Sequence, residues 1–144
     1  MESDKRTVFA TWGCIVEKKD GKFLPYSQWK DCILGTENSE YSLFGGGGIY
    51  PPNIFDDEIL RSDVFMKLCP TADDIWFWVQ EKRNGIKTNL TKHSGYGLHR
   101  PIDRLYDYDI SGDGCLTVDN VLKGQNDVQL RNLLEYYYLG EIIE

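Results

Sequence analysis

The sequence predicts an α/β or α+β fold in which helices flank a small mixed sheet. β-forming residues predominate between Thr7 and Glu17, whereas helix signals mark Thr71 to Asn84 and Val128 to Tyr138. Strands therefore come first, short helical turns next and long helices last, an order typical of this class. The chain has 144 residues without an internal repeat or a low-complexity linker, so residues 1–144 are predicted to form a single domain.

The N-terminal part is predicted to form strands joined by a tight turn. The β-forming run ends at Lys18-Lys19-Asp20-Gly21. Asp-Gly between two such runs is a good hairpin signal, so Phe23 and Leu24 are predicted to begin the return strand. Pro25 to Trp29 then leaves the sheet, and the polar stretch Thr36 to Ser42 is predicted to be a loop.

Two short helical turns are predicted after the prolines at positions 51 and 52. The first covers Ile54 to Arg61, and the second covers Ser62 to Leu68. Ser62 or Asp63 is expected to cap the second turn, because short polar side chains accept the unpaired N–H groups of a helix start. Pro70 is expected to end it.

Thr71 to Asn84 carries the clearest helix signals in the chain. Thr71 is a candidate cap, acids follow in the first turn, bases occupy the last turn, and Gly85 is expected to stop the helix. Ile86 to Leu90 is predicted as a short strand. Val128 to Tyr138 is predicted as the closing helix, since its leucines recur at helical spacing.

Composition restricts the partners and the location of the chain. The net charge of -7 and the absence of a Lys/Arg stripe disfavour nucleic acid. The first residues, Met1 to Arg6, lack the apolar core of a signal peptide. The longest apolar run, Ile75 to Val79, is far shorter than the ~20 residues that span a bilayer. We therefore predict a cytoplasmic chain without a transmembrane segment, able to act at the inner face of a membrane.

The cysteines are interpreted as free thiols in a reducing compartment. They form no CxxC pair and no Cys/His zinc spacing. The four positions are Cys14, Cys32, Cys69 and Cys115.

Two adjacent acids, Asp73 and Asp74, open the predicted long helix, and two interpretations of them remain open. A carboxylate beside an acceptor hydroxyl can take its proton as that oxygen attacks, which is general-base catalysis. Alternatively, Thr71 and Asp74 match a capping box at a helix start. The neighbouring charge would raise the pKa of either acid and the helix N-terminus would lower it, so the direction of the shift stays open.

A glycine run precedes the two prolines. It can shape a loop through which a ligand meets backbone N–H groups, or it can be a flexible turn between a strand and a helix. It matches neither a Walker loop nor a GxGxxG turn before a helix, and the prolines favour extended backbone. The stretch reads Gly45-Gly46-Gly47-Gly48-Ile49-Tyr50-Pro51-Pro52.

Three other patterns have simpler interpretations. Asp109 to Asn120 resembles a calcium loop, but its last position cannot supply a bidentate carboxylate, so a polar turn is preferred. His93 and His99 lie six residues apart, too far for one helical face, which does not favour a metal site. The rings of Trp76 to Trp78 are interpreted as core rather than as a sugar-stacking platform.

Several short motifs follow one another along the chain. They are Gly21-Lys-x-x-Pro25-Tyr26-x-x-Trp29, Phe44-Gly-Gly-Gly-Gly-Ile-Tyr-Pro-Pro, Phe65-x-x-Leu68-Cys69-Pro70, Ala72-Asp-Asp-Ile-Trp76, Leu116-x-x-x-Asn120 and Asn126-Asp127-x-Gln129-Leu130. The ordered set resembles bacterial family 2-like glycosyltransferases of polysaccharide biosynthesis, over about residues 7 to 140.

This resemblance implies a GT-A type fold, of which the chain corresponds to the second, acceptor-binding half. By pattern, Asp74 corresponds to the base that deprotonates the acceptor hydroxyl, and Asp73 to its orienting or charge-tuning neighbour. The resemblance also implies a set of residues that contact substrate: Gly45, Gly46, Gly47, Gly48, Tyr50 and Trp76.

The resemblance further implies partners and a cofactor. In that family a divalent cation, Mn²⁺ or Mg²⁺, is held on the donor diphosphate by an aspartate-containing motif, and this sequence has no match to that motif or to the nucleotide-binding βαβ units. The expected ligands are a nucleotide-sugar donor and a saccharide acceptor, with a second copy or a partner enzyme as a further candidate partner. The resemblance implies either sugar transfer with inversion or a non-catalytic glycan- or partner-binding module. The pattern from Asp109 to Asn120 leaves a calcium-binding module as a third possible function.

Overall fold

The computed structural model describes residues 6–10, 13–31, 41–43, 47–90, 116 and 118–143, and it has the mixed helix-and-sheet composition predicted from the sequence. The helices are α1 Ser62–Leu68, α2 Asp73–Asn84 and α3 Gln125–Tyr136, with short 3-10 helices at Tyr26–Gln28 and Asp57–Leu60 and a π-helical turn at Val118–Leu122. The strands are β1 Thr7–Ala10, β2 Gly13–Ile15, β3 Lys18–Lys19, β4 Lys22–Phe23, β5 Lys30–Asp31, β6 Tyr41–Leu43, β7 Gly48–Ile49 and β8 Lys87–Leu90.

The β-forming run between Thr7 and Glu17 is divided between two sheets. Strand β1 pairs antiparallel with β7 and parallel with β8. Strand β2 pairs antiparallel with β5 and β6 in the second sheet. The two halves of the run therefore have different partners, which local propensity does not reveal. The loop predicted for Thr36 to Ser42 was too long, since β6 begins at Tyr41.

The predicted Asp-Gly hairpin is confirmed. Lys18 pairs with Phe23, and the two turn residues, Asp20 and Gly21, have φ of 51° and 81°. Positive φ at both central positions is the type I′ geometry that suits the twist of a two-residue hairpin. The return strand covers Lys22–Phe23, so it begins one residue earlier than predicted and does not include Leu24. The backbone of Phe23 bonds to Glu141 and Ile143 near the C-terminus.

Helix α1 has the predicted bounds, but the helical turn before it covers only Asp57–Leu60 and not the predicted Ile54 to Arg61. In addition, α1 is not capped as predicted. Arg61 occupies the N-cap position, and no side chain caps the helix. The Asp63 carboxylate instead accepts two hydrogen bonds from the Arg61 guanidinium, at 2.8 and 2.7 Å. Hydrogen bonds between two charged groups are stronger than a bond from a carboxylate to a backbone N–H, so Asp63 bonds to Arg61 and does not cap the helix.

Helix α2 begins two residues later than predicted, and the capping box is wrong. Ala72 is the N-cap, and the Thr71 hydroxyl donates to Oδ1 of Asn120 at 2.7 Å. The Thr71 N–H donates to Oε1 of Gln129 at 2.9 Å. Thr71 therefore bonds to Asn120 and Gln129 and does not cap α2. The predicted end is confirmed, since Gly85 takes the left-handed conformation with φ of 62°.

The main core lies between α2, α3 and the N-terminal hairpin. The Trp78 ring makes edge contacts with Phe23 and Trp29, at centroid distances of 5.6 and 5.5 Å. Helix α3 starts three residues before the predicted Val128 and buries its leucines against this cluster. The buried residues that the three helices contribute to this cluster are Val64, Ile75, Trp76, Trp78, Val79, Leu130, Leu133 and Leu134.

No helix among the described residues is long and apolar enough to cross a membrane.

Gly140 closes this core, and replacing it by alanine is expected to be costly. A Cβ at this position, where φ is 145°, would lie 2.8 Å from Cε2 of Phe23, a ring that is buried against Trp78. We expect Gly140→Ala to lower the free energy of unfolding by about 1–3 kcal/mol, the usual cost of overpacking. Urea denaturation measures this. Gly85→Ala is the matched control, because it strains a positive φ but meets no atom within 4 Å. Equal losses in both variants would show that backbone strain alone, and not the Phe23 contact, is responsible.

Candidate active site

The predicted acid pair forms the first turn of α2. Asp73 is exposed and Asp74 is partly buried. Oδ1 of Asp73 accepts from the N–H of Asp74 at 3.0 Å, and Oδ1 of Asp74 accepts from the N–H of Ile75 at 2.9 Å. The acids themselves therefore take up N–H groups at the helix start, where the positive end of the helix dipole favours negative charge.

Tyr26 holds the second oxygen of the Asp74 carboxylate. Its hydroxyl donates to Oδ2 of Asp74 at 3.3 Å, and its backbone N–H donates to Oδ1 of Asp127 in the first turn of α3. The Tyr26 side chain is buried, with a relative exposure of 6%, and its ring packs on Trp29. One buried tyrosine thus connects the N-termini of α2 and α3 at the acid pair.

Burial decides the direction of the Asp74 pKa shift, which the sequence leaves open. Loss of solvent raises the pKa of Asp74 to about 6, and the negative charge of Asp73 acts in the same direction. The hydrogen bonds from the Ile75 N–H and the Tyr26 hydroxyl act in the opposite direction, because they favour the charged form. A carboxyl of this kind is largely ionised at neutral pH and is a stronger base than an ordinary aspartate.

Two neighbouring groups remain protonated and act as donors. Burial raises the pKa of the Cys69 thiol to about 12, and its S–H donates to the carbonyl of Ala72 at 2.9 Å. Burial and the Asp74 charge likewise raise the pKa of the Tyr26 hydroxyl. Because only a thiolate is an effective nucleophile, Cys69 is not suited to nucleophilic catalysis. The free-thiol interpretation is confirmed for Cys69, and Cys14 forms no disulfide, while Cys32 and Cys115 lie outside the described residues.

The glycine segment enters a strand beside α2. Gly47 has φ of 84°, and Gly48 and Ile49 then pair antiparallel with Ala10 and Phe9. The backbone is thus extended ahead of the prolines, as predicted, and Gly48 is not part of a flexible turn between strand and helix. Gly45 and Gly46 lie outside the described residues.

Tyr50 follows this strand and lies along α2. Its ring packs against Phe77 at 5.4 Å between centroids, and its hydroxyl donates to Oε1 of Glu81 at 3.2 Å. Burial raises the pKa of Tyr50, and the charges of Glu81 and Asp73 add to that shift. The Tyr50 hydroxyl, at the end of the glycine segment, is therefore close enough to Asp73 for the charge of that acid to act on it.

Trp76 belongs to the core and not to a binding surface. Its relative exposure is 4%, its Nε1 donates to the carbonyl of Ile59 at 3.4 Å, and its ring packs on Phe65 and Tyr137. The core interpretation of these aromatic residues is confirmed for Trp76 and Trp78. The substrate-contacting role implied for Trp76 by the resemblance is corrected, because the packed ring has no open face for stacking.

Three residues of this region have a role in the site that the sequence did not predict: Tyr26, Asp127 and Glu81. Tyr26 and Asp127 stand in motifs quoted for the resemblance, but nothing local indicates that they meet. The Tyr26 hydroxyl and Asp74 are 48 residues apart in sequence, and Tyr26 and Asp127 are 101 apart. The only local signal is the place of Asp127 in the first turn of a helix, where acids are common.

The acid pair does not fit a metal site. Both oxygens of Asp74 accept hydrogen bonds from the protein, and the described residues contain no group of three or more His, Cys, Asp or Glu side chains able to hold a metal ion. The part of the chain that the structure describes therefore supplies no ligand set for a divalent cation at the acid pair. Most of the calcium-like stretch, residues 109–115 and 117, and both histidines lie outside the described residues. Its last position, Asn120, is buried and bonds through its amide to Thr71.

A scan against protein-family models, a search of curated proteins and a search of solved structures each found no match to this chain. The geometry of the acid pair and its surroundings is therefore what indicates a function for this chain.

Proposed function

We propose that this chain is the acceptor-side part of an inverting glycosyltransferase, corresponding to the second half of a GT-A type domain. It would transfer a sugar from a nucleotide-sugar donor to a saccharide hydroxyl, in surface polysaccharide synthesis on the cytoplasmic side of a membrane. The observation that carries the proposal is the partly buried Asp74, which has a pKa raised to about 6 and is held by Tyr26 at the start of α2.

In the proposed reaction Asp74 is the general base. Its carboxylate takes the proton of the acceptor hydroxyl while that oxygen forms a bond to the anomeric carbon of the donor sugar. The bond from that carbon to the diphosphate breaks on the opposite face, so the nucleoside diphosphate leaves and the configuration inverts. A carboxylate has about four lone-pair sites, and the bonds from Tyr26 and Ile75 use two of them, which leaves room for the acceptor hydroxyl.

The surrounding residues support this role of Asp74 in different ways. The charge of Asp73 raises the pKa of Asp74, and the hydrogen bond from Tyr26 orients the Asp74 carboxylate. Gly47, Gly48 and Tyr50 border the acceptor side of the site. In this proposal the donor is bound by a nucleotide-binding half elsewhere in the same polypeptide or in a partner, together with any divalent cation on the diphosphate.

The pH dependence of transfer tests the proposal. With Asp74 as the base, kcat/KM should rise about tenfold per pH unit on the acid side and level off above an apparent pKa of about 6. The hydrogen bond from Tyr26 favours the charged form of Asp74 and so lowers its pKa. Tyr26→Phe removes this bond, so the pKa of Asp74 should rise and the acid limb should move to higher pH. Initial rates are measured with nucleotide-sugar donors on the chain together with its donor-binding half. A limb at the same pH in both proteins would contradict the role of Tyr26, and a flat profile would contradict that of Asp74.

A second candidate is a non-catalytic module that binds a glycan or the donor-binding half of a transferase. The observation in its favour is an exposed apolar pair on neighbouring strands, Phe9 and Ile49, with relative exposures of 45% and 70%. Exposed apolar surface of this kind is common where proteins associate. Such a module would bind its glycan or partner protein with the same affinity whether residue 74 is Asp or Asn. It would show no turnover of a nucleotide-sugar.

A further inference from the structure

A second buried carboxyl lies on α2, away from the acid pair. Glu81 has a relative exposure of 2%, and it follows Asp73 and Phe77 at intervals of four residues, which puts all three on one face of the helix. Oε1 of Glu81 accepts from the Tyr50 hydroxyl at 3.2 Å, and Oε2 accepts from the Thr88 hydroxyl at 2.7 Å. No cation among the described residues pairs with it.

This carboxyl joins three parts of the fold. Thr88 belongs to β8, which pairs with one side of β1, and Tyr50 directly follows β7, which pairs with the other side. The Tyr50 ring is also packed between Phe55 and Phe77, at 5.5 and 5.4 Å. Both edges of the first sheet are therefore tied to α2 through Glu81.

Packing alone does not account for a carboxyl at this position. Burying an acid without a cation costs free energy, and an apolar residue of similar volume is commonly neutral or stabilising in such places. A carboxyl has what an apolar side chain lacks, two oxygens that can meet two hydroxyl groups from different strands. The arrangement therefore favours a role in fixing the relative positions of the strands and the helix.

We propose that Glu81 is a positioning residue that holds the glycine-containing strand β7, through Tyr50, beside the face of α2 that carries Asp73. Given the proposed function, this anchor sets the distance between the wall of the saccharide site and the acid pair. The groups that face Glu81 are the hydroxyls of Tyr50 and Thr88, and the charge of Asp73 also acts on Tyr50.

Hydrogen exchange on the 144-residue chain tests the anchor without any turnover. We expect Tyr50→Phe and Glu81→Ala to speed exchange of the backbone amides of β7 about tenfold, since each removes the hydrogen bond between the Tyr50 hydroxyl and Glu81. Exchange at Leu133 and Leu134 in α3 should change less than about twofold. Glu81→Gln should restore most of the protection, because its amide still bonds to both hydroxyls.

Two results would overturn the proposal. Unchanged exchange in β7 for Tyr50→Phe would show that the strand does not depend on this bond. Equal acceleration in β7 and α3 for both Tyr50→Phe and Glu81→Ala would show that Glu81 supports the whole fold and positions nothing in particular. Because exchange does not depend on sugar transfer, either result leaves the general-base role of Asp74 to be judged separately by its pH profile.

Discussion

Asp74→Asn is expected to lower the turnover of sugar transfer by about 10²–10⁴-fold, the range typical for loss of a general base. The amide has nearly the same size as the carboxylate, and its oxygen can still accept a hydrogen bond from Tyr26 or Ile75. It has no basic lone pair that can take the proton of an acceptor hydroxyl at neutral pH. The measurement is the initial rate at saturating donor and acceptor, with circular dichroism as the check on folding.

Asp73→Asn is the matched control for this experiment. Asp73 is the exposed neighbour in the same helical turn, and its charge raises the pKa of Asp74. The control should therefore keep most of the turnover and move the acid limb of the pH profile to lower pH. Similar losses in the two variants would contradict the assignment of Asp74 as the base. Full turnover in a folded Asp74→Asn protein would remove Asp74 from the mechanism.

Wild-type stability is expected to fall by about 3 kcal/mol between pH 4.5 and pH 7.5 through Glu81 alone. Burial raises the pKa of this carboxyl from 4.5 to about 7 in the folded protein. Between these two values the folded state binds more protons than the unfolded state, so stability is fully present below about pH 4.5 and is lost as the pH rises through about 7. Asp74 acts in the same direction, because its pKa is also raised in the folded protein.

Glu81→Gln should remove most of this pH dependence and should make the protein more stable than the wild type at pH 7.5. The neutral amide carries no charge to bury at any pH. Urea denaturation at pH 4.5, 6 and 7.5 measures the difference, with the exposed Glu135→Gln on α3 as the control. Asp56, Asp63 and Glu141, whose pKa values are lowered by hydrogen bonds or ion pairs with Arg or Lys, act in the opposite direction, and the effect belongs mainly to pH below 4.5. The same pH dependence in Glu81→Gln and wild type would show that Glu81 does not titrate in this range.

Features that depend on a few neighbouring residues could be predicted from the sequence. The Asp20-Gly21 turn needs positive φ at two positions, and Gly85 stops α2 because glycine enters the left-handed region without strain. The end of α1 before Pro70 follows from the missing N–H of proline. These causes act within a few residues and do not require knowledge of the fold.

Features that depend on distant partners could not be predicted. Thr71 does not cap α2, because Asn120 and Gln129 bond to it from 49 and 58 residues away. A close neighbour can also override a cap signal: Asp63 does not cap α1, because Arg61, two residues before it, takes both of its oxygens. In each case local propensity describes one available partner, and the folded chain supplies a better one.

The same division applies to the candidate site. The sequence by itself determined that two acids open a helix behind a glycine-rich segment, because charge, glycine content and helix signals are local properties. Only the tertiary structure decided that the pKa of Asp74 rises, that Tyr26 bonds to both Asp74 and Asp127, and that Tyr50, which follows β7, bonds to Glu81 of α2. Burial and hydrogen bonding are set by the sum of neighbours in space, and most of those neighbours are far away along the chain.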